Sequence, residues 1–363
     1  FLMIRRPPRS TLERSAAASD VYKRQGPESA GSEPGPVCYG KGNTKPTVTD
    51  ANLVLGRINP LAPIGKGIAE LDVNAAKRAI ELHIAGPLNL GVMEASDAIV
   101  RVANSKMAGA IRLISIERGY QPESFVLMPF GGGGALHAGA LIQDVGLSKA
   151  VIPRYPGAMS AFGCVVADIR FDRVKTINAL LEELDIRLLN EEAQRLQKEL
   201  FESHETSKRS VKEVSVCLEL DMNYVGQTHT INVRLSEQPI NAEHVRSRFE
   251  DTYQRIYSTI LEDIPIRILN LRIVLVGKRP DFDLSLLVRS ASPLGKTAGA
   301  ATRDMWVEGS WQPTPVYQRD HLEPGVVIVG PCLIEQADST VLVDEKLKGS
   351  IDSYGNLIME LDS

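Results

Sequence analysis

Residues 125–138 read Phe125-Val126-Leu127-Met128-Pro129-Phe130-Gly131-Gly132-Gly133-Gly134-Ala135-Leu136-His137-Ala138, an apolar run that leads into four glycines and then into an amphipathic helix. Glycine has no Cβ, so it adopts positive φ and lets a ligand approach backbone N–H groups. A helix expected from Ala135 to Val145 points the positive end of its dipole at the same place. This layout is typical of a phosphate or nucleotide cradle, although a glycine-rich turn used for packing alone has the same pattern.

Several familiar catalytic motifs are missing from the sequence. Neither G-x-x-x-x-G-K-[ST] nor G-x-G-x-x-G occurs at these glycines, so a P-loop NTPase and an ordinary dinucleotide-binding fold fit poorly. The sequence also lacks a G-x-S-x-G elbow, a Cys/His pair and an H-E-x-x-H motif. Hydrolysis by a covalent Ser or Cys therefore has no support.

Working outward, the first half of the chain predicts an α/β arrangement. Apolar residues at three- and four-residue spacing predict long helices from Leu71 to about Ile84 and from Gly91 to about Arg118. A short helix is expected over 47–56, a buried strand over Phe125 to Phe130 and a second strand over Lys149 to Pro153. Helices that alternate with strands in this way indicate an α/β domain.

The second half has a different character. A charged, Leu-rich helix is expected from Ile177 to about Ser207, followed by a hairpin of Val214 to Tyr224 with His229 to Leu235. A helix over Ala242 to Tyr257, a strand over 267–276 and short strands after Val326 complete an α+β domain with a small β tail. We therefore expect one domain over residues 26–177 and a second over residues 178–363.

The N-terminal residues 1–25 differ from the rest and resemble translated sequencing-adapter sequence. A targeting peptide is the competing interpretation, since Arg and Ser are abundant, but two prolines interrupt any helix and no adequate apolar stretch follows Arg6. We expect this segment to be disordered and to lie outside the folded protein. The abrupt start at the loop after Gln25 predicts that a larger protein has been cut.

The composition is that of a soluble globular protein. The formal net charge is −4, and the acidity is greater without the basic N-terminal stretch, which argues against a nucleic-acid partner. No apolar run is long enough for a membrane span and no secretory signal is visible, so a cytoplasmic location is expected. Four scattered cysteines without a C-x-x-C pair suit free thiols in a reducing compartment.

His137 and Asp50 are the side chains best placed for catalysis. His137 follows the glycines Gly131 to Gly134 and lies within reach of a ligand held there, where it is a candidate to bind phosphate, hold a metal or relay a proton. A packing histidine is the alternative. Asp50 lies among small residues and is the best candidate to hold Mg²⁺, which needs only one or two carboxylates beside phosphates and water. A helix N-cap is the alternative for Asp50.

Other polar residues are weaker candidates. Asp97 is expected on a helix face and Asp168 at a helix end. Asn104, Lys106 and Arg112 lie on the long helix, where facing a nucleotide and facing solvent are both open.

Together these segments resemble the hydantoinase A/5-oxoprolinase family. The resemblance is carried by Gly35 to Gly40, Pro46 to Gly56, Phe130 to Ala138 and Pro156 to Gly163, and in the second half by Asn223 to Gln227, Asn270 to Arg272 and Gly330 to Glu335. It covers nearly everything after Gln25, and the motifs are long and occur in order. The resemblance implies the C-terminal part of an actin/Hsp70-like ATPase fold, followed by the family's C-terminal domain.

What the resemblance implies is an ATP- and Mg²⁺-dependent hydrolase that opens a hydantoin or 5-oxoproline ring. The glycines Gly131 to Gly134 correspond to the nucleotide-contacting segment, with His137 and Asp50 as catalytic candidates and Asp50 as the metal ligand. A small cyclic amide is the implied substrate and a hydantoinase B-like subunit the implied partner. The family's N-terminal half, with its phosphate loop, is not in the sequence, so the segment alone is expected to be inactive.

Two alternatives stay open from the sequence. One is the ATP-using subunit of an acetone-type carboxylase, and the other is a degenerate, non-catalytic subunit that only binds partners. The sequence does not name the substrate, and the genes beside the complete gene would separate hydrolysis from carboxylation.

Overall fold

The computed structural model describes residues 29–62, 70–203, 211–235, 239–283 and 301–362. The described chain divides into two compact units, one of residues 29–160 with 301–362 and one of residues 161–283. This partition in space differs from the expected segments 26–177 and 178–363, because the C-terminal strands pack with the N-terminal helices. The expected disordered stretch 1–25 lies outside the described residues.

The first unit begins with helices whose ends are set by side-chain caps. Thr47 caps the first helix, its Oγ1 accepting from the Asp50 N–H while the Asp50 carboxylate accepts from the Thr47 N–H, as in a capping box. Asp72 caps the second helix by accepting from the Ala75 N–H at 2.8 Å. The helices are α1 (Val48–Val54), α2 (Val73–Ile80, continued by a π-helical turn at Glu81–Ala85) and α3 (Val92–Ile114).

The glycine-rich stretch departs from its expected form. Strand β1 is only Val126–Leu127, and Val126 and Met128 are about half exposed, so the buried strand expected over Phe125 to Phe130 is wrong in extent and burial. The expected helix from Ala135 is also shorter, because Gly134–His137 forms a 3₁₀ turn before α4 (Ala138–Val145). Strand β2 (Lys149–Ile152) pairs in parallel with β1, and α5 (Met159–Val166) follows.

The second unit is an antiparallel sheet with two helices. Its elements are β3 (Ile169–Leu180), α6 (Ile186–Ser203), β4 (Glu213–Tyr224), β5 (Ile231–Leu235), α7 (Ala242–Tyr257) and β6 (Ile266–Lys278), and the strand order is β3-β6-β4-β5. Leu200 of α6 and Phe249 of α7 pack against sheet residues such as Leu220 and Ile268 in one buried core. The hairpin of β4 with β5 is confirmed, but the long helix expected from Ile177 is wrong at its start, where β3 runs instead.

The C-terminal strands return to the first unit and confirm the expected β tail. They are β7 (Ala301–Val307), β8 (Ser310–Gln318), β9 (Val327–Val329), β10 (Cys332–Gln336), β11 (Ser339–Val343), β12 (Leu347–Ile351) and β13 (Leu357–Leu361). One sheet has the order β11-β10-β8-β7, and the other has the order β1-β2-β13-β12-β9. The tail therefore completes the sheet that β1 and β2 begin, with α4 packed into the same core.

Two expectations from composition can be compared with the described residues. All four cysteines are free, as expected. Among the helices described, none combines the length and the apolar character that crossing a membrane requires.

Candidate functional site

The glycine loop between β1 and α4 has an open backbone. Gly131 has a φ of 87° and donates its N–H to the Pro156 carbonyl at 2.8 Å. A Cβ added at Gly131 or at Gly133 would meet no atom of the described residues within 4 Å. At Gly139, by contrast, an added Cβ would collide with the Asp344 carboxylate. The positive φ explains glycine at 131, whereas neither the φ of −105° nor any contact of the described residues explains glycine at 133.

A second turn holds the glycine loop in place. The 3₁₀ turn of Pro156–Ala158 supplies the carbonyl that binds Gly131, and its Gly157 N–H donates to Asp338 Oδ2 at 2.8 Å. Asp338 lies between β10 and β11, where Gln336 Nε2 donates to its other oxygen. A chain of hydrogen bonds thus links a distant hairpin to the first glycine of the loop.

His137 lies at the end of the 3₁₀ turn and is buried, with 9% of its surface exposed. Its Nδ1 is 2.6 Å from Asn104 Oδ1 of α3. Because an amide oxygen can only accept, this geometry assigns the proton to Nδ1 and leaves Nε2 unprotonated. Burial, and secondarily the positive charge of Arg57, lower the pKa of His137. The imidazole is therefore neutral at physiological pH and able to accept a proton.

Asp50 has a different environment from the one that a metal ligand needs. It is fully buried, and its Oδ2 accepts from the N–H groups of Thr47 and Val37 and from the Thr47 hydroxyl at 2.8 to 3.1 Å. Its Oδ1 accepts from the Cys38 N–H at 2.8 Å. Both oxygens are thus engaged in joining the Val37–Tyr39 turn to α1. The N-cap itself is Thr47, so Asp50 is not the cap but the third helical residue of the capping box, and its carboxylate and the His137 ring have separate partners.

The described residues were compared with what a metal ion requires. No group of three or more His, Cys, Asp or Glu side chains in those ranges could hold one. Asp50 has no exposed surface, and its carboxylate already accepts four hydrogen bonds from protein groups. The residues present therefore do not fit a magnesium site at Asp50.

A charged pocket of about 430 Å³ lies beside α4 in the first unit. Its polar lining includes Arg57 and Asp344, with Asp97 and Arg101 of α3. Asp97 Oδ2 is 3.0 Å from Arg101 Nε, while Asp97 Oδ1 is 3.8 Å from Arg57 Nη2. Burial raises the pKa of Asp344 to about 6, against the opposing effect of Arg57. Burial also lowers the pKa of Arg57.

Sequence reasoning found part of this region and missed the rest. The structure places His137 directly after the glycine loop, as expected, and gives Asn104 a definite role as its hydrogen-bond partner. Sequence reasoning missed Arg57, which directly follows the motif ending at Gly56, and Asp344, which lies among short tail strands. No local signal joins Arg57 to Asp344, because they come from opposite parts of the chain. Asp168 instead accepts from the Arg279 N–H in the second unit.

Comparison with known proteins gives the fold and site a context. The solved structure of an ATP-dependent caprolactamase from Pseudomonas jessenii is similar at a TM-score of 0.70 and 31% identity, covering 93% of this chain and 50% of that chain. The caprolactamase subunit alpha of the same organism is 34% identical over 90% of this chain and 48% of its own length. The acetophenone carboxylase gamma subunit of Aromatoleum aromaticum is 33% identical over 96% of this chain and 49% of its own length.

The fold is the C-terminal part of an ATPase-like fold with an α+β C-terminal domain. The hydantoinase/oxoprolinase family profile matches residues 17–173, and the profile of the hydantoinase/oxoprolinase C-terminal domain matches residues 182–361. The chain belongs to the hydantoinase/oxoprolinase family. It spans about half the length of the curated relatives named above.

Proposed function

We propose that this chain is a segment of an enzyme that uses ATP to open a cyclic amide such as a hydantoin or 5-oxoproline. The observation that carries this proposal is the open backbone at Gly131 and Gly133, held by Pro156, in a chain of this family. The name of the ATP-dependent caprolactamase supports ATP use and a cyclic amide substrate.

The chemistry calls for an activating group, because an amide carbonyl is a poor electrophile. The carbonyl oxygen would attack the γ-phosphoryl group of ATP and release ADP. Water would then add to the activated ring carbon, so that the ring C–N bond breaks and phosphate leaves. The residues of this chain would position the reacting groups and neutralise the negative charge of the phosphates. Backbone N–H groups of the glycine loop would face the phosphates, and neutral His137 would accept a proton near the loop.

The proposal also includes Mg²⁺, although without Asp50 as its ligand, and a partner subunit. Since both oxygens of Asp50 are engaged, Mg²⁺ would be held mainly by phosphates and water or by residues outside the described ranges. The relatives named above are called subunits, which supports a partner, and a hydantoinase B-like subunit is our choice for it. We also propose that the segment alone is inactive, since it spans about half of its relatives' length.

Lactam-dependent release of ADP tests the proposal. It is measured on a protein of the relatives' full length that carries this segment, against a panel of 5-oxoproline, hydantoins and lactams. A carboxylase is the second candidate, favoured by the 33% identity to the acetophenone carboxylase gamma subunit. ADP release that requires a ketone with bicarbonate, and none with any cyclic amide, would establish the carboxylase instead.

Gly133→Ala isolates the glycine loop in the same assay. The φ of Gly133 is −105° and the space around it is open, so alanine costs the fold little while its Cβ obstructs a ligand. We expect at least a tenfold rise in the KM for ATP with an unchanged Tm. Gly109→Ala adds a Cβ in open space on α3 and serves as the matched control. An unchanged KM for ATP in Gly133→Ala would remove the loop from the nucleotide site.

A further inference from the structure

The pocket beside α4 contains a cationic side chain whose hydrogen-bonding capacity is underused. Among the described residues, Arg57 Nε is buried and has no partner. The contacts of its two terminal nitrogens are long, 3.5 Å from Nη1 to Asn52 Oδ1 and 3.8 Å from Nη2 to Asp97 Oδ1. A buried guanidinium without a close acceptor is costly, so this arrangement favours a ligand that brings an acceptor oxygen.

The same pocket contains a carboxylate that lacks donors. Asp344 Oδ2 is buried against Gly139 and has no hydrogen-bond partner in the described parts of the chain, so a ligand in the pocket would meet the other oxygen of this carboxylate. Asp344 and Arg57 both line the pocket, yet their nitrogen and oxygen atoms do not come within ion-pair distance of each other. The pair therefore offers a donor on one side and an acceptor on the other, with both left for a third group.

The balance of charges around the pocket favours a neutral ligand. An anion attracted by Arg57 would also meet Asp97 and Asp344, and a cation attracted by those carboxylates would meet Arg57. A neutral group with a strong dipole avoids both conflicts. The remaining charged side chains of the lining also have both signs: Arg101, Asp144, Glu308, Glu345 and Lys346.

Apart from Gln143, the uncharged side chains of the lining are apolar, and the volume suits a small molecule. About 430 Å³ lies within the range of roughly 300 to 1,000 Å³ that is usual for small-molecule pockets. The apolar side chains of the lining offer contact to a hydrocarbon ring: Ala140, Met305, Trp306, Val307, Pro331 and Leu342.

We propose that this pocket binds the cyclic amide itself, with the ring carbonyl accepting from Arg57 and the ring N–H donating to Asp344. A secondary amide is the neutral group that presents one acceptor and one donor side by side. The proposal rests on the proposed function, since it names the binding site of that substrate class. It makes Arg57 and Asp344 specificity-determining residues, because a ring without an N–H leaves the carboxylate unpaired.

Direct binding to this chain, without ATP, tests the pocket. The probes are 2-pyrrolidone, which has both groups, N-methyl-2-pyrrolidone, and cyclopentanone, which has the acceptor without the donor and without added bulk. Titration is followed by NMR at the indole N–H of Trp306, which lines the pocket. We expect 2-pyrrolidone to bind at least tenfold more tightly than the other two rings, because loss of the donor leaves a buried acceptor unsatisfied.

Asp344→Ala is the matching variant, and it should abolish the preference for 2-pyrrolidone while the protein stays folded. Glu262→Ala removes an exposed carboxylate of the second unit, which does not line the pocket, and should keep the preference. Equal binding of all three rings to the unmodified chain, or an unchanged preference in Asp344→Ala, would overturn the pocket assignment. Lactam-dependent ADP release with either of these results would leave the proposed function standing and place the substrate elsewhere. Selective lactam binding without such ADP release would retain the pocket and overturn the function.

Discussion

At the scale of single residues, burial shifts the pKa values of His137 and Asp344 in opposite directions. Burial favours the uncharged form of both, which lowers the pKa of the imidazole and raises that of the carboxyl. His137 gains a hydrogen bond to Asn104, whereas Asp344 Oδ2 gains none within the described residues. One side chain is therefore held in a defined tautomer, and the other is held at a cost to stability.

His137→Ala should lower turnover at least tenfold in the full-length enzyme, with only a modest fall in Tm. Because the pKa of His137 is lowered, the neutral base persists below the ordinary pKa of about 6.5, and wild-type activity should fall only at more acidic pH. Turnover, Tm and the pH-rate profile are measured on the same preparations. A large fall in Tm with unchanged turnover per folded molecule would instead identify a packing histidine.

Asp344→Asn should stabilise the fold at pH 8 and have little effect at pH 4. The folded chain keeps this proton up to about pH 6, whereas an unfolded Asp loses it near pH 3.9, so stability falls as pH rises between these values. At pH 8 the cost of the buried charge is on the order of 3 kcal/mol, which the neutral amide removes. Urea unfolding at both pH values measures this. An equal effect at the two pH values would contradict it, and exposed Glu345→Gln is the control.

At the scale of elements, helices with capping residues and strands with alternating apolar residues could be predicted from the sequence, whereas polar strands could not. The pattern from Thr47 to Gly56 predicted α1, since a cap, an acidic third position and a final glycine are local signals. Ala242–Tyr257 likewise forms the expected helix. By contrast most positions of β3 are exposed and four are charged, Arg170, Asp172, Arg173 and Lys175, so its pattern lacks the buried face that reveals a strand. Strand β8 carries two prolines and was missed for a similar reason.

In the candidate site, too, residues close in sequence could be predicted together, whereas residues brought together only by the tertiary fold could not. Glycines 131–134 and His137 are contiguous in sequence, so their proximity could be predicted. The pocket depends on a tertiary contact between Leu55 and Trp306. The backbone N–H of Trp306 donates to the Leu55 carbonyl at 2.9 Å. This contact brings β7 beside Arg57, and no periodicity in either segment encodes it. Arg57 and Asp344 could therefore not be predicted as one site.

The hairpin of β10 and β11 should act on the glycine loop through Asp338. Asp338→Ala removes the acceptor of the Gly157 N–H, which loosens the turn that binds Gly131. We expect a several-fold rise in the KM for ATP with little change in kcat, and recovery in Asp338→Asn, which keeps an acceptor oxygen. Asp352→Ala breaks a turn that caps Tyr354 and Asn356, and should lower Tm without changing the KM. A fall in Tm with an unchanged KM in Asp338→Ala would make Asp338 a purely structural residue.

At the scale of the whole molecule, the two units differ in how they obtain their cores. Among the described residues, the buried core of the second unit runs from Leu181 to Ile273, and its partly buried neighbours, such as Phe171 and Ile177, also lie within 161–283. The cores of the first unit join distant parts of the chain, since Leu136 packs with Met305 and Leu333, and Ile142 with Val341 and Leu357. The first unit therefore needs residues 301–362 before its N-terminal helices are covered.

Residues 161–283 expressed alone should fold cooperatively, whereas residues 29–160 alone should not. The isolated second unit keeps its complete sheet and both helices, α6 and α7, so it loses no buried apolar partner from its core. The 29–160 segment loses strands β7–β13, including the partners of β2 in its own sheet. Thermal melts by circular dichroism and amide dispersion by NMR decide between them. A featureless melt for 161–283 would show that this unit depends on the rest of the chain, and a cooperative melt for 29–160 would show that its helices are stable without the C-terminal strands.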